Sequence, residues 1–199
     1  MTFDTIRQRL WERPNLPLFV EDQPWDADLD ARLREGVAAT LFPGRTLRDA
    51  SAAAAMVSGL LLWNDSFDAS HSLCQGLPNS TGSYWHMLCH RREGHRGRGL
   101  RANLANTRYW IRQTGAHPAF PRVLSAAVET MQSLGGGFRW ATENGVRLQS
   151  AGVWDPNAMV DWFAEADAGA LSPETRQLLE RLQLREIETL LDWCAEQTV

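Results

Sequence analysis

The 199-residue chain contains no lysine; all 20 of its basic side chains are arginine. That absence excludes Schiff-base catalysis, pyridoxal phosphate anchoring and a phosphate-binding loop with its lysine. Cysteine is also scarce. Cys74, Cys89 and Cys194 are widely spaced and form no CxxC pair, which argues against a zinc ribbon or a redox dithiol. The simplest expectation is buried, reduced thiols in a cytoplasmic protein. Long apolar runs are missing too. The segment Met1-Thr2-Phe3-Asp4-Thr5-Ile6-Arg7 opens no stretch of signal-peptide length. The longest apolar stretch, Ser51 to Trp63, is interrupted by Ser58 and Gly59 and is too short to span a bilayer. No GxSxG, HExxH, GxGxxG or EF-hand loop occurs.

What is present suits one globular domain: 44% hydrophobic residues, 22% charged residues and a net charge of −4. Residues 1–25 read as an extended N-terminal arm, with Pro14, Pro17 and Pro24 among Trp11, Leu16, Leu18, Phe19 and Trp25. Residues 26–199 read as a single helical domain. Leu29, Leu33, Val37 and Leu41 recur at i+4 before Pro43-Gly44. Thr46-Leu47-Arg48-Asp49 reads as a capping box for an Ala-rich helix to about Asn64. A short helix then ends at Gly76-Leu77-Pro78, and Asn79 starts the next, which reaches about Glu93. Residues 94–101 read as a loop. Further helices end at Gly115 and, after Leu134, at Gly135-Gly136-Gly137. Asp155-Pro156 and Ser172-Pro173-Glu174 open the last two. Residues 138–153 have mixed patterning, and Glu143-Asn144-Gly145 suggests a short β-hairpin there. The fold class is therefore all-α: helical hairpins packed as a bundle or as a tetratricopeptide-like array, although no fixed period marks true repeats.

The sharpest chemical signal lies between residues 81 and 93. His86, His90 and Glu93 stand at i, i+4 and i+7, so about 100° per residue puts all three on one helix face. Two imidazoles and a carboxylate suit acid–base catalysis or a divalent transition metal. Asp68 and His71 add the i, i+3 spacing of carboxylate-bridged metal bundles, and an antiparallel pair of helices would bring all five groups together. The competing reading is a structural or solvated face, since the apolar arc of Tyr84, Trp85, Leu88 and Cys89 points elsewhere. Asp65 and Asp68 also resemble a capping pair.

The second signal is charge. Arg91, Arg92, Arg96, Arg98, Arg101, Arg108 and Arg112 fall in a window whose one acid is Glu93. Such a segment can bind phosphate or nucleic acid, with Tyr109 and Trp110 for stacking. The acidic remainder of the chain can instead pair with it, and a pI near 5.7 does not suit a dedicated nucleic-acid binder. Arg91, Arg92, Tyr109 and Arg112 are the candidate contacts for a small anionic ligand.

The run Gly82-Ser83-Tyr84-Trp85-His86-Met87-Leu88-Cys89-His90-Arg91-Arg92-Glu93-Gly94 resembles the signature of a family of mainly bacterial, all-helical proteins. The resemblance continues through Asn106-Thr107-Arg108-Tyr109-Trp110-Ile111-Arg112 and Gly115-Ala116-His117-Pro118. It also takes in Leu62-Trp63-Asn64-Asp65, Ala69-Ser70-His71, Trp154-Asp155-Pro156 and Val160-Asp161, and so covers most of residues 50–195. That family has no established activity, so the resemblance implies a shared helical fold and little else. Here His95 to Leu104 looks like an insertion relative to the family, and an Asp expected soon after Gly94 is missing.

The expectation carried forward is a pocket lined by His71, His86, His90, Glu93 and Arg91 or Arg92, serving a small molecule or a divalent metal. The alternatives are a helical scaffold for another protein and phosphate or nucleic-acid binding through residues 91–112. Assembly as a homo-oligomer is a further expectation; a membrane partner is not expected.

Overall fold

Helix after helix begins where a capping side chain stands. The computed structural model describes residues 1–35, 38–133 and 138–199. Val37, Leu134 and Gly135-Gly136-Gly137, used above to place helix faces and ends, lie outside these residues. The helices are α1 (Phe3–Trp11), α2 (Ala27–Arg34), α3 (Ala38–Leu41), α4 (Ala50–Trp63), α5 (Phe67–Gln75), α6 (Ser80–Glu93), α7 (Leu100–Thr114), α8 (Phe120–Gln132), α9 (Arg139–Ala151), α10 (Pro156–Asp167) and α11 (Pro173–Thr198). Asn79, Asp155 and Ser172 accept from the first free N–H groups of α6, α10 and α11, as their spacing predicts.

Four local readings are corrected. The segment expected to hold a β-hairpin is the helix α9. Arg139 pairs with Glu143 one turn on, Ala141, Gly145 and Leu148 bury one stripe, and Gly152 ends the helix in the left-handed conformation. There is no strand among the described residues. The arm is extended only in part, because a Thr2 capping box opens α1, which buries Phe3, Ile6 and Leu10. The cap of α4 is Asp49, bonded to the N–H groups of Ser51 and Ala52, rather than Thr46. Asp65 does not cap α5; it is buried in an ion pair described below.

The helices form a bundle. In a tetratricopeptide-like array each hairpin would meet only its neighbours. Here the C-terminal α11 reaches back to α4, α8 and α10, while α6 lies between α5 and α7 and also touches α4. The centre is built from α4 and α6, which are buried almost all round. Trp63, Tyr84, Trp85, Met87 and Leu88 supply much of that interior. Gly59 permits the close approach of α4 and α6: a Cβ there would stand 2.4 Å from Trp85 Cη2 and 2.8 Å from Leu191 Cδ2. Among the described residues no helix is long and apolar enough to cross a membrane.

The carboxylates of Glu186 and Asp65 are buried in this interior and paired with arginine. Glu186 on α11 receives Arg91 at 2.6 Å, the Tyr84 hydroxyl at 2.9 Å and Trp154 Nε1 at 3.2 Å. Asp65, just after α4, receives Arg92 at 2.7 Å and Arg13 of the arm at 2.5 Å. Arg92 also donates to the carbonyl of Leu62.

Two substitutions test this packing in urea unfolding. Gly59→Ala should cost about 1–3 kcal/mol by overpacking against Trp85. Asp65→Ala should cost about 3–5 kcal/mol, because it leaves Arg92 buried without its counter-charge.

Candidate metal centre

The histidine face predicted on α6 exists, and it is turned into the protein. α5 and α6 pack together, so His71 meets His86 and His90 across the helix pair. His86 Nε2 lies 2.8 Å from His71 Nε2, which is 3.3 Å from His90 Nε2. The ligand atoms of the three residues all lie within 4.8 Å of one another. His86 and His90 are buried and His71 is half-buried.

Each ring is held from behind. Trp110 of α7 stacks on His86, with centroids 3.9 Å apart, and Phe67 stacks on His71 at 5.7 Å. His90 Nδ1 lies 2.8 Å from Glu93 Oε2. With its Nδ1–H donated to that carboxylate, His90 presents the Nε2 lone pair to the cluster; the tautomer follows from the hydrogen-bond network. The Asn106 amide, one turn before Trp110 on α7, donates to the same Nε2 at 2.9 Å. His86 Nδ1 is buried and has no hydrogen-bond partner.

His86 and His71 are biased to the neutral form. Burial pushes the His86 pKa down to about 3, and His71 and His90 push it the same way. Burial also lowers His71, followed by His90, while Glu93 and Asp68 pull in the opposite direction. Neutral rings carry the lone pairs that a metal needs.

The loop after α6 reaches back to Phe67, the ring stacked on His71. Gly94 ends the helix at φ +62°, where a Cβ would fall 2.7 Å from the Phe19 ring. Asn103 Nδ2 donates to the carbonyls of Gly94 and Arg96 at 2.9 and 2.8 Å. The Arg96 guanidinium sits 5.3 Å from the centroid of Phe67.

The other expected site residues are placed elsewhere. Glu93 is not one of the converging ligand atoms; it orients His90. Asp68 is exposed and outside the cluster. Arg91 and Arg92 point into the core and are taken by Glu186 and Asp65, so neither faces a ligand. Tyr109 is exposed, with its ring edge on Trp110 and Arg112 5.9 Å from its centroid. Arg108 pairs with Asp161. The seven arginines therefore do not make one basic face. Wider clefts lie away from the histidines. One of about 510 Å³ lies between the arm and α11, and one of about 380 Å³ lies against Leu33, Val57 and Leu61.

Asn106, Trp110, Phe67 and Arg96 were not legible as parts of the site. The signal that could have pointed to the first two is their i, i+4 spacing on a helix forced back along α6 by a short loop. His117 is buried. Its Nδ1 accepts from the Ala119 N–H and its Nε2 faces Thr81 Oγ1 at 3.1 Å. No protein-family model, curated protein or solved structure matches the chain.

Burial pushes the His117 pKa down to about 4 from an ordinary 6.5. Between those values the unfolded chain binds a proton that the folded protein refuses, so stability falls as pH falls from 6.5 toward 4. One such group contributes at most about 1.4 kcal/mol per pH unit. Unfolding at pH 7 and pH 5 should show a shallower loss for His117→Gln than for the parent protein; equal losses would show that His117 does not carry the effect.

Proposed function

We propose that the protein binds one divalent transition-metal ion through Nε2 of His71, His86 and His90, and that its activity on a small molecule is seated there. The supporting observation is the convergence of three ring nitrogens with separations of 2.8 and 3.3 Å. Tetrahedral zinc with nitrogen ligands at about 2.0–2.1 Å places those nitrogens roughly 3.3 Å apart. Three lone pairs directed at one point repel one another, and a cation removes that repulsion. The Glu93–His90 pair is the arrangement that fixes ring orientation and raises ligand basicity at such centres.

Three protein ligands leave a fourth position for water or substrate, as in catalytic rather than structural zinc sites. A metal ion there would supply a Lewis acid and an acidified water. The protein's own part is to keep His71 and His86 neutral by burial, hold their planes with Phe67 and Trp110, and set the His90 tautomer with Glu93. His71 is the half-buried ligand, so access is from the α5 side. His86, His90 and Glu93 all fall within the run that resembles the bacterial helical family. A cytoplasmic setting is supported by three buried free thiols.

Protein purified without a polyhistidine tag should take up one equivalent of Zn²⁺ or Co²⁺ by elemental analysis after dialysis. His86→Ala should lose that metal while still unfolding cooperatively. Glu93→Gln should keep the fold and weaken affinity about 10–100-fold. Metal uptake by His86→Ala equal to that of the parent protein would remove the centre from these residues.

A further inference from the structure

The loop that follows α6 supplies a charge at this centre that the metal reading does not use. Arg96 lies on Phe67, and Phe67 in turn stacks on His71. Among the described residues no carboxylate pairs with the Arg96 guanidinium, although its main chain is fixed at both ends. Its N–H donates to the Glu93 carbonyl at 3.2 Å and its carbonyl accepts from Asn103. The guanidinium is thus carried on a pinned backbone against Phe67, the ring that backs His71, with no carboxylate holding its donors.

Asn106 supplies the second observation. Its amide now donates to His90 Nε2. A metal ion on that lone pair takes away the acceptor and leaves a partly buried N–H donor aimed at the metal's open side. Something on the metal must accept that hydrogen bond. Charge asks for the same thing. Three neutral imidazoles do not offset a divalent ion, and Glu93 is the one carboxylate bonded to the cluster.

We propose that the fourth position takes a small oxyanion, of the carboxylate, bicarbonate or phosphate type, which accepts from Asn106 and is drawn in by Arg96. This rests on the metal reading above. It gives the loop a role in ligand choice: Asn103 and Gly94 set its path, and Arg96 carries the recognition. Phosphate or nucleic-acid binding by the whole segment 91–112 is not needed, because Arg91 and Arg92 are internal.

The test uses the full, untagged chain loaded with Co²⁺, with cobalt content measured first. Acetate, bicarbonate and inorganic phosphate are then titrated while the visible cobalt bands are followed, with azide as a non-oxyanion control. A saturable band shift by at least one oxyanion is expected, and the one that saturates lowest identifies the class. Arg96→Gln and Asn106→Ala should each keep one cobalt per chain and weaken that oxyanion about tenfold or more, the range of a charge-assisted hydrogen bond. Full cobalt loading with no oxyanion response, or variants that bind the oxyanion as tightly as the parent, would overturn the proposal and leave the metal centre standing. Failure to load cobalt would overturn both.

Discussion

Arg91 and Arg92 are consecutive on α6, have no exposed side-chain surface, and each reaches a single buried carboxylate. The placement of the rest follows from that constraint. A guanidinium cannot be left in an apolar interior without a counter-charge, so α6 can sit only where Glu186 of α11 and Asp65 after α4 are both within reach. Such pairs add little net stability compared with a well-packed apolar core, but they tie a helix to one position. Here they bind α6 to α11 and to the end of α4, and through Arg13 they draw in the arm. Asp65 adopts φ +59°, an uncommon conformation for a residue with a side chain, and its two ion pairs help to hold it there.

With α6 fixed on that side, its opposite face is fixed too. About 100° per residue puts His86 and His90 on the face away from both arginines. The histidines are therefore not free to turn into solvent, and the half-buried His71 must come to them from α5. Gly94 and the short loop after it send the chain straight back as α7, which lays Trp110 on His86 and Asn106 against His90. One anchored helix and one tight return thus define four sides of the cluster, with no contribution from the long clefts elsewhere on the protein.

Much of this was legible in the sequence, and the gaps have physical causes. Helix starts could be read because Asn79, Asp155 and Ser172 satisfy local N–H groups, which needs no tertiary information. The segment 138–153 was misread because Glu143-Asn144-Gly145 has turn chemistry. Burial of Ala141 and Leu148 and the close fit of Gly145 against Met131 override it, and that is a tertiary effect. His86 and His90 could be placed on one face by angle alone. The inward turn of Arg91 and Arg92 could not, since their carboxylates lie 95 and 27 residues away. A window of seven arginines looks like a basic surface until the fold divides it between core and loop. Glu93, i, i+3 from His90, brings its carboxylate to Nδ1, on the far side of the ring from Nε2.

The polar groups of α6 fall into two sets with different solutions. The arginines break the rule against buried charge, and the fold answers with carboxylates from two other elements. The imidazoles are buried with one another: His86 Nδ1 has no partner, and the cluster's shortest contact is nitrogen to nitrogen. Unpartnered buried atoms remain in both sets, Arg91 Nε and Nη1 and Arg92 Nε as well as His86 Nδ1, but among the described residues the imidazoles are the group that brings three potential ligand atoms together. Apolar side chains of similar size would fill the same space between α5, α6 and α7 without that penalty. Three converging imidazoles, two of them biased to the neutral form by burial and one oriented by a carboxylate, walled by aromatic rings, make chemical sense as a place for a cation, and much less sense as packing.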